Sequence, residues 1–177
     1  MIKDVTKKEF PNLKINYAVQ DTPLGISHAF SKAEIFIDND DILLLVLGDN
    51  FFGGNPLQDI NFKKFSENKG SIIFTKEVPN PKEFGVAEVD DAGEVLFIDE
   101  KPENPSSNLA VVGLYIFDSS AMGKITKLSP SKRGEYEITD LINLYISEKK
   151  CKNVEITSWW VDAGTPERII ELENLLA

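Results

Sequence analysis

The feature that most constrains this chain is the run Leu43-Leu44-Leu45-Val46-Leu47, which ends abruptly in Gly48-Asp49-Asn50. Five successive aliphatic residues without polar alternation predict a strand covered on both faces, as in the centre of a parallel sheet flanked by helices. In open α/β sheets, ligands bind at the carboxyl ends of such strands. Gly48 lets the backbone leave the strand and places Asp49 at that end. A carboxylate there can hold a hard cation such as Mg²⁺, which takes few carboxylates and keeps phosphate and water as its other ligands. Asp and Asn are also common turn residues, so the same triplet could simply close a turn.

Strand-like and helix-like stretches alternate along the rest of the chain. Residues 14–19 alternate with Ile15, Tyr17 and Val19 on one side and predict a strand. A turn from Gln20 to Gly25 follows, then a helix over 26–36 with Ile26, Ala29, Phe30 and Ala33 at helical spacing. Asp38-Asn39-Asp40-Asp41 superficially matches an Asp-x-Asp metal pattern, but it precedes the central strand and is taken as a solvated loop. The glycines after Asp49 lack the spacing of a phosphate cradle. A helix over 57–68 with Ile60 and Phe65 inward and a strand over 71–75 complete one strand–helix–strand unit. Residues 84–98 predict a hairpin turning at Asp90-Asp91-Ala92-Gly93, and Asp99-Glu100-Lys101-Pro102 leaves it. A carboxylate beside a lysine at a strand end is either a surface ion pair or a grip for sugar hydroxyls and phosphate. A buried strand over 109–117 contains Gly113, which suggests close approach by a ligand or by backbone. A helix over 138–147 and a strand over 154–156 precede Trp160-Val161-Asp162-Ala163-Gly164, a second apolar stretch ending in Asp then Gly. Thr165 and Pro166 open a final helix over 167–176.

Composition removes several classes. The 177 residues suffice for one domain with its own core. A net charge of −10 disfavours nucleic acid and anionic membrane as partners, though not a nucleotide held by a metal. No apolar run approaches the ~20 residues of a membrane span. The first ten residues carry no apolar leader core, and the single Cys151 allows no internal disulfide, so a cytoplasmic protein is expected. One His and one Cys leave no structural zinc site, and no nucleophile-elbow motif accompanies His28.

Taken in order, the motifs resemble the sugar-1-phosphate nucleotidylyltransferases, most closely their glucose-1-phosphate thymidylyltransferase branch, over residues 15–176. The resemblance rests on Gln20 with Pro23-Leu24-Gly25, Leu47-Gly48-Asp49-Asn50, Phe84-Gly85-Val86, Glu100-Lys101-Pro102, Gly113-Leu114-Tyr115, Arg133-Gly134-Glu135 and Trp160 to Thr165. It implies a three-layer, Rossmann-like mixed sheet flanked by helices, the nucleotide-diphospho-sugar transferase fold. It implies that Gln20 and Gly25 read the nucleobase and that Asp49 and Asp162 hold Mg²⁺. By the same resemblance Gly85 and Glu100 bind sugar hydroxyls, Lys101 binds the sugar phosphate, and Val112, Glu135 and Trp160 line the sugar pocket. The implied reaction joins a nucleoside triphosphate (dTTP or UTP) to a sugar-1-phosphate, with glucose-1-phosphate the expected sugar, and releases pyrophosphate. Asp49, Lys101 and Asp162 would carry that chemistry.

Two departures shape the expectation. Ala163 stands where the family usually has Thr. Nothing in the chain resembles the family's opening strand and glycine-rich, Arg-bearing triphosphate loop, and no C-terminal β-helix repeat is present. The expectation is therefore a single domain over 1–177, lacking the family's first β-α unit, that associates (a homo-oligomer being expected), carries a rearranged edge or is a fragment of a longer protein, and that transfers nucleotide weakly on its own. The alternative is a non-catalytic sugar-phosphate or sugar-nucleotide binding remnant that needs a partner. A metal-dependent glycosyltransferase is a third, less well-matched reading.

Overall fold

A computed structural model describes residues 2–177. Helix α1 (Ile2–Glu9) is followed by α2 (Ile26–Ser31), β1 (Ile42–Val46), β2 (Asn50–Phe52), α3 (Phe62–Asn68) and β3 (Ser71–Glu77). Then come β4 (Gly85–Val89), β5 (Val95–Glu100), β6 (Leu109–Asp118), α4 (Ala121–Ile125), α5 (Ile138–Ser147), β7 (Cys151–Glu155), β8 (Trp160–Asp162) and α6 (Pro166–Leu176).

The main sheet has the order β5-β4-β6-β3-β7, with β1 also paired to β6. The sheet is mixed as expected, but only β3 and β7 run parallel; β1 lies antiparallel to β6. The central strand is therefore β6, ten residues long and buried almost throughout. One edge of β6 pairs with β3 from Leu109 to Phe117. The other is shared, by β4 at Ala110 and by β1 from Leu114 to Asp118.

Side chains on β6 alternate between two cores, as the two-residue period of a strand requires. Val111, Tyr115 and Phe117 join Leu43, Ile73 and the inner faces of α2, α4 and α5. Val112, Leu114 and Ile116 join Ile72, Phe74, Ile156 and Phe65 of α3 on the opposite face. This gives the helix–sheet–helix layering implied by the alternation. On the outer edge of β5, Asn143 of α5 donates to Ile98 O and accepts from Ile98 N at 2.8 and 3.0 Å, closing part of that edge against further pairing.

Three expectations need correction. The aliphatic run is not a central strand covered on both faces: among the described residues β1 pairs only with β6, and although Leu43 is 8% exposed, Leu44 is 46% and Val46 48% exposed. Residues 14–18 do alternate in burial, but Val19 is exposed, and among the described residues no strand lies beside the segment to complete a ladder, so it forms no regular secondary structure. The helices expected over 26–36 and 57–68 are shorter; α2 ends at Ser31, and α3 starts only where Asn61 caps it by accepting from Lys64 N. One helix was not expected at all, α1, whose Thr6 hydroxyl shares a hydrogen bond with the Tyr17 hydroxyl.

Candidate active site

Residues 111–113 of β6 lie between the last contact with β4 and the first with β1, so that edge is split there. A cavity of about 220 Å³ opens over the split, lined by Asp49, Glu100, Lys101, Glu135, Trp160 and Asp162 among others.

At the split Leu47 N donates to Gly113 O at 2.9 Å, and Asn50 takes the Gly113 N–H. Its Oδ1 accepts from Gly113 N and from Trp160 Nε1, both at 2.8 Å, and its Nδ2 donates to Asp49 Oδ1 at 2.9 Å. A Cβ on Gly113 would sit 2.6 Å from this amide, which explains a glycine in mid-strand. One side chain thus fixes the indole, the strand and the first aspartate.

The two aspartates meet because β2 and β8 pair antiparallel with Asn50 opposite Asp162. Ala163 N donates to Asp49 O at 2.7 Å. A Cβ on Gly164 would lie 3.0 Å from Asp162 Oδ1 and 3.7 Å from Asp49 Oδ2, so both carboxylates converge on that glycine. Among the described residues Asp49 has no cationic partner, whereas Arg168 Nη1 stands 3.6 Å from Asp162 Oδ2. No third acidic, His or Cys side chain joins them among the described residues. Two oxygen donors facing an open cavity fit Mg²⁺, which leaves its other positions to phosphate and water.

The opposite wall carries the sugar-type groups. Gly85 pairs with Glu100, and a Cβ at Gly85 would strike Thr139 Cγ2 at 2.9 Å. Burial, reinforced by the neighbouring Glu137 carboxylate, raises Glu100 above its ordinary pKa, with Arg133 and Lys101 pulling the other way. Arg133 Nη1 donates to Glu100 at 3.1 Å and also reaches Glu137, while Nη2 reaches Glu135. Lys101 adopts φ 47°, unusual for a side chain with a Cβ, and its N donates to Phe84 O at 3.0 Å. Such conformations cost of order 1 kcal/mol or more and concentrate at functional sites.

The cavity gathers Asp49, Gly85, Glu100, Lys101, Glu135, Trp160 and Asp162. It does not include Val112, whose side chain packs into the opposite core; the strand alternation gives the lining positions to Val111, Gly113 and Tyr115 instead. Gln20 and Gly25 also lie outside it, on a turn that abuts the wall: a Cβ on Gly25 would come 3.0 Å from Glu135 Cβ. Gly25 has φ 96°, and Tyr136 N donates to Leu24 O at 2.8 Å, which stitches the turn to the Arg133–Glu137 loop. Sequence reasoning gave no role to Asn50, Arg133, Tyr115 or Thr139. Asn50, Tyr115 and Arg133 each stand inside a motif of the resemblance, which gave them no role; the three carboxylate partners of Arg133 come together only in the fold.

The model of the nucleotidyl transferase family matches residues 2–177. A low-salt glycan biosynthesis nucleotidyltransferase of Haloferax volcanii is 39% identical over 165 residues, covering 93% of this chain and 46% of its own length. A glucose-1-phosphate thymidylyltransferase of Neisseria meningitidis is 39% identical over 167 residues, covering 93% and 57%. The chain thus spans about half the length of the relatives it matches. A Bacillus anthracis structure described as a glucose-1-phosphate thymidylyltransferase bound to sucrose superposes with TM-score 0.86 at 33% identity, covering 98% of this chain and 71% of its own. A UDP-glucose pyrophosphorylase complexed with UDP-glucose superposes with TM-score 0.80 at 25% identity, covering 99% and 72%.

Proposed function

The chain belongs to the nucleotidyl transferase family, as a sugar-1-phosphate nucleotidyltransferase, and from this premise we propose that it takes part in nucleotidyl transfer from dTTP or UTP to glucose-1-phosphate. The observation that carries the reading is the convergence of Asp49 and Asp162 on one side of a cavity whose other side holds Glu100, Lys101 and Glu135. Glu100 and Glu135 would accept from sugar hydroxyls, and Lys101 would pair with the sugar phosphate as a point charge. Mg²⁺ held by Asp49 and Asp162 would neutralise phosphate charge as a sugar-phosphate oxygen attacks the α-phosphorus and pyrophosphate leaves. The protein's share is alignment, with no covalent intermediate.

Among the described residues Lys101 and Arg133 are the only cationic side chains lining the cavity. Arg133 is engaged by three carboxylates, which leaves little positive charge for a triphosphate. That observation favours the second reading, in which this chain binds sugar phosphate and needs a partner for transfer. Among the described residues β1 pairs on one edge only, and its open edge supports association with another copy, measurable by light scattering. The test of function is pyrophosphate release from dTTP, then UTP, with glucose-1-phosphate and Mg²⁺, using the wild type and Asp49→Ala. Release that disappears in the variant supports transfer. Binding of glucose-1-phosphate without release supports the binding module, and neither binding nor release contradicts both.

A further inference from the structure

Gln20 sits on the turn that the family resemblance gives to the base, and its amide is already committed on one side. Its Nε2 donates to Gly25 O at 3.1 Å and lies 2.9 Å from His28 Nδ1. A carbonyl oxygen only accepts, so the group facing Gly25 O must be the NH₂ and the amide cannot be the other way round. The second N–H then points at His28 Nδ1, which must offer a lone pair. The contact therefore calls for the His28 tautomer that carries its proton on Nε2. Among the described residues no donor reaches Gln20 Oε1, so the other half of the amide is a bare acceptor.

The clamp is held from behind. Gly25 occupies a φ of 96°, and its carbonyl also takes Ala29 N at 3.1 Å, so the acceptor that orients the amide is fixed by the first turn of α2. The His28 ring packs near Tyr136 with centroids 6.2 Å apart, and Tyr136 is bonded to Leu24 and Ser27. Among the described residues His28 forms no ion pair that would impose the other tautomer.

We propose that His28 is a positioning residue for base choice: by accepting from Gln20 Nε2 it turns Gln20 Oε1 toward the nucleotide. The chain then favours a base that presents a ring N–H, as thymine and uracil do, over cytosine, whose N3 lone pair would face Oε1. This rests on the assignment of Gln20 to the base. Replacing His28 by a side chain without an acceptor lets the amide rotate and relaxes the choice.

The histidine is the only one in the chain, so its ring nitrogens can be read directly by long-range ¹H–¹⁵N correlation in the intact protein. An unprotonated Nδ1 and a protonated Nε2 at neutral pH are expected. The preference for dTTP over dCTP, measured by calorimetry, should fall roughly tenfold in His28→Phe, about the loss of one hydrogen bond. It should return in His28→Asn, whose Oδ1 can stand near the Nδ1 position, while glucose-1-phosphate affinity stays within twofold in both. An Nδ1–H tautomer, an unchanged preference in His28→Phe, or no preference in the wild type overturns the proposal. Absence of pyrophosphate release with the expected tautomer and preference would count against transfer alone and leave His28 in place.

Discussion

The two edges of β6 present the same backbone to very different surroundings. Along one edge β3 runs beside it from end to end, and the side chains between the flanking layers, Phe74 and Ile73 among them, are fully buried. Along the other, β4 and β1 each cover part and leave residues 111–113 without a strand. At Gly113 the gap is met by one polar side chain, Asn50 at the N–H, and by Leu47 N at the carbonyl, and it is surrounded by carboxylates and a lysine. Backbone groups left without a strand partner must be met by side chain, water or ligand. A continuous edge therefore supports the fold, and a split edge makes room for chemistry.

Four substitutions break or sharpen that contrast. Phe74→Ala on the continuous side should cost about 3–5 kcal/mol of stability in a denaturant titration, from lost burial and the cavity left behind. Its folded fraction should bind glucose-1-phosphate as the wild type does; a binding defect beyond the unfolded fraction would blur the two edges. Asp162→Asn on the split side should do the reverse, leaving stability near the wild type. If the chain transfers nucleotide, it should also lower the rate by ~10²–10³, the usual cost of removing one charge-stabilising group. Asn50→Ala tests the seam between the two. It strands Gly113 N–H and Trp160 Nε1–H, and should cost about 1–3 kcal/mol of stability while shifting tryptophan fluorescence and weakening sugar-phosphate binding together.

Glu100→Gln should give the smallest effect, and its sign is informative. The folded Glu100 titrates above its ordinary value because burial and Glu137 disfavour its charged form. Its contribution to stability is therefore complete at low pH and lost as pH rises through the raised folded value. The variant escapes that loss, so it should be more stable than the wild type by less than about 1 kcal/mol at pH 8 and indistinguishable toward acid. Thermal melts across pH read this directly; a variant less stable at pH 8 would mean that Arg133 outweighs burial.

The sequence made some of this visible and hid the rest for definite reasons. Asp49, Glu100, Lys101 and Asp162 stand in short motifs at strand ends; local chemistry drew notice to them but left a turn or a surface ion pair open, and only the ordered set of motifs pointed to roles. The aliphatic run 43–47 was legible as a strand, but apolarity does not say which side has a neighbour, so its place at the flank of β6 was not. Val112 was misplaced because a shift of one residue along a strand moves a side chain to the other face. Asn50 looked like a turn residue. Its partners Gly113 and Trp160 lie 63 and 110 residues away in sequence, and nothing local to Asn50 announces them.

The measurement that bears most directly on the split-edge site is Mn²⁺ binding followed by electron paramagnetic resonance in the presence of glucose-1-phosphate. Mn²⁺ accepts the oxygen ligands that suit Mg²⁺. If Asp49 and Asp162 share one cation, the wild type should take up a single ion whose binding is lost in Asp49→Ala and again in Asp162→Ala, with both variants folded. Uptake that survives either substitution unchanged would contradict a shared site and place the cation elsewhere.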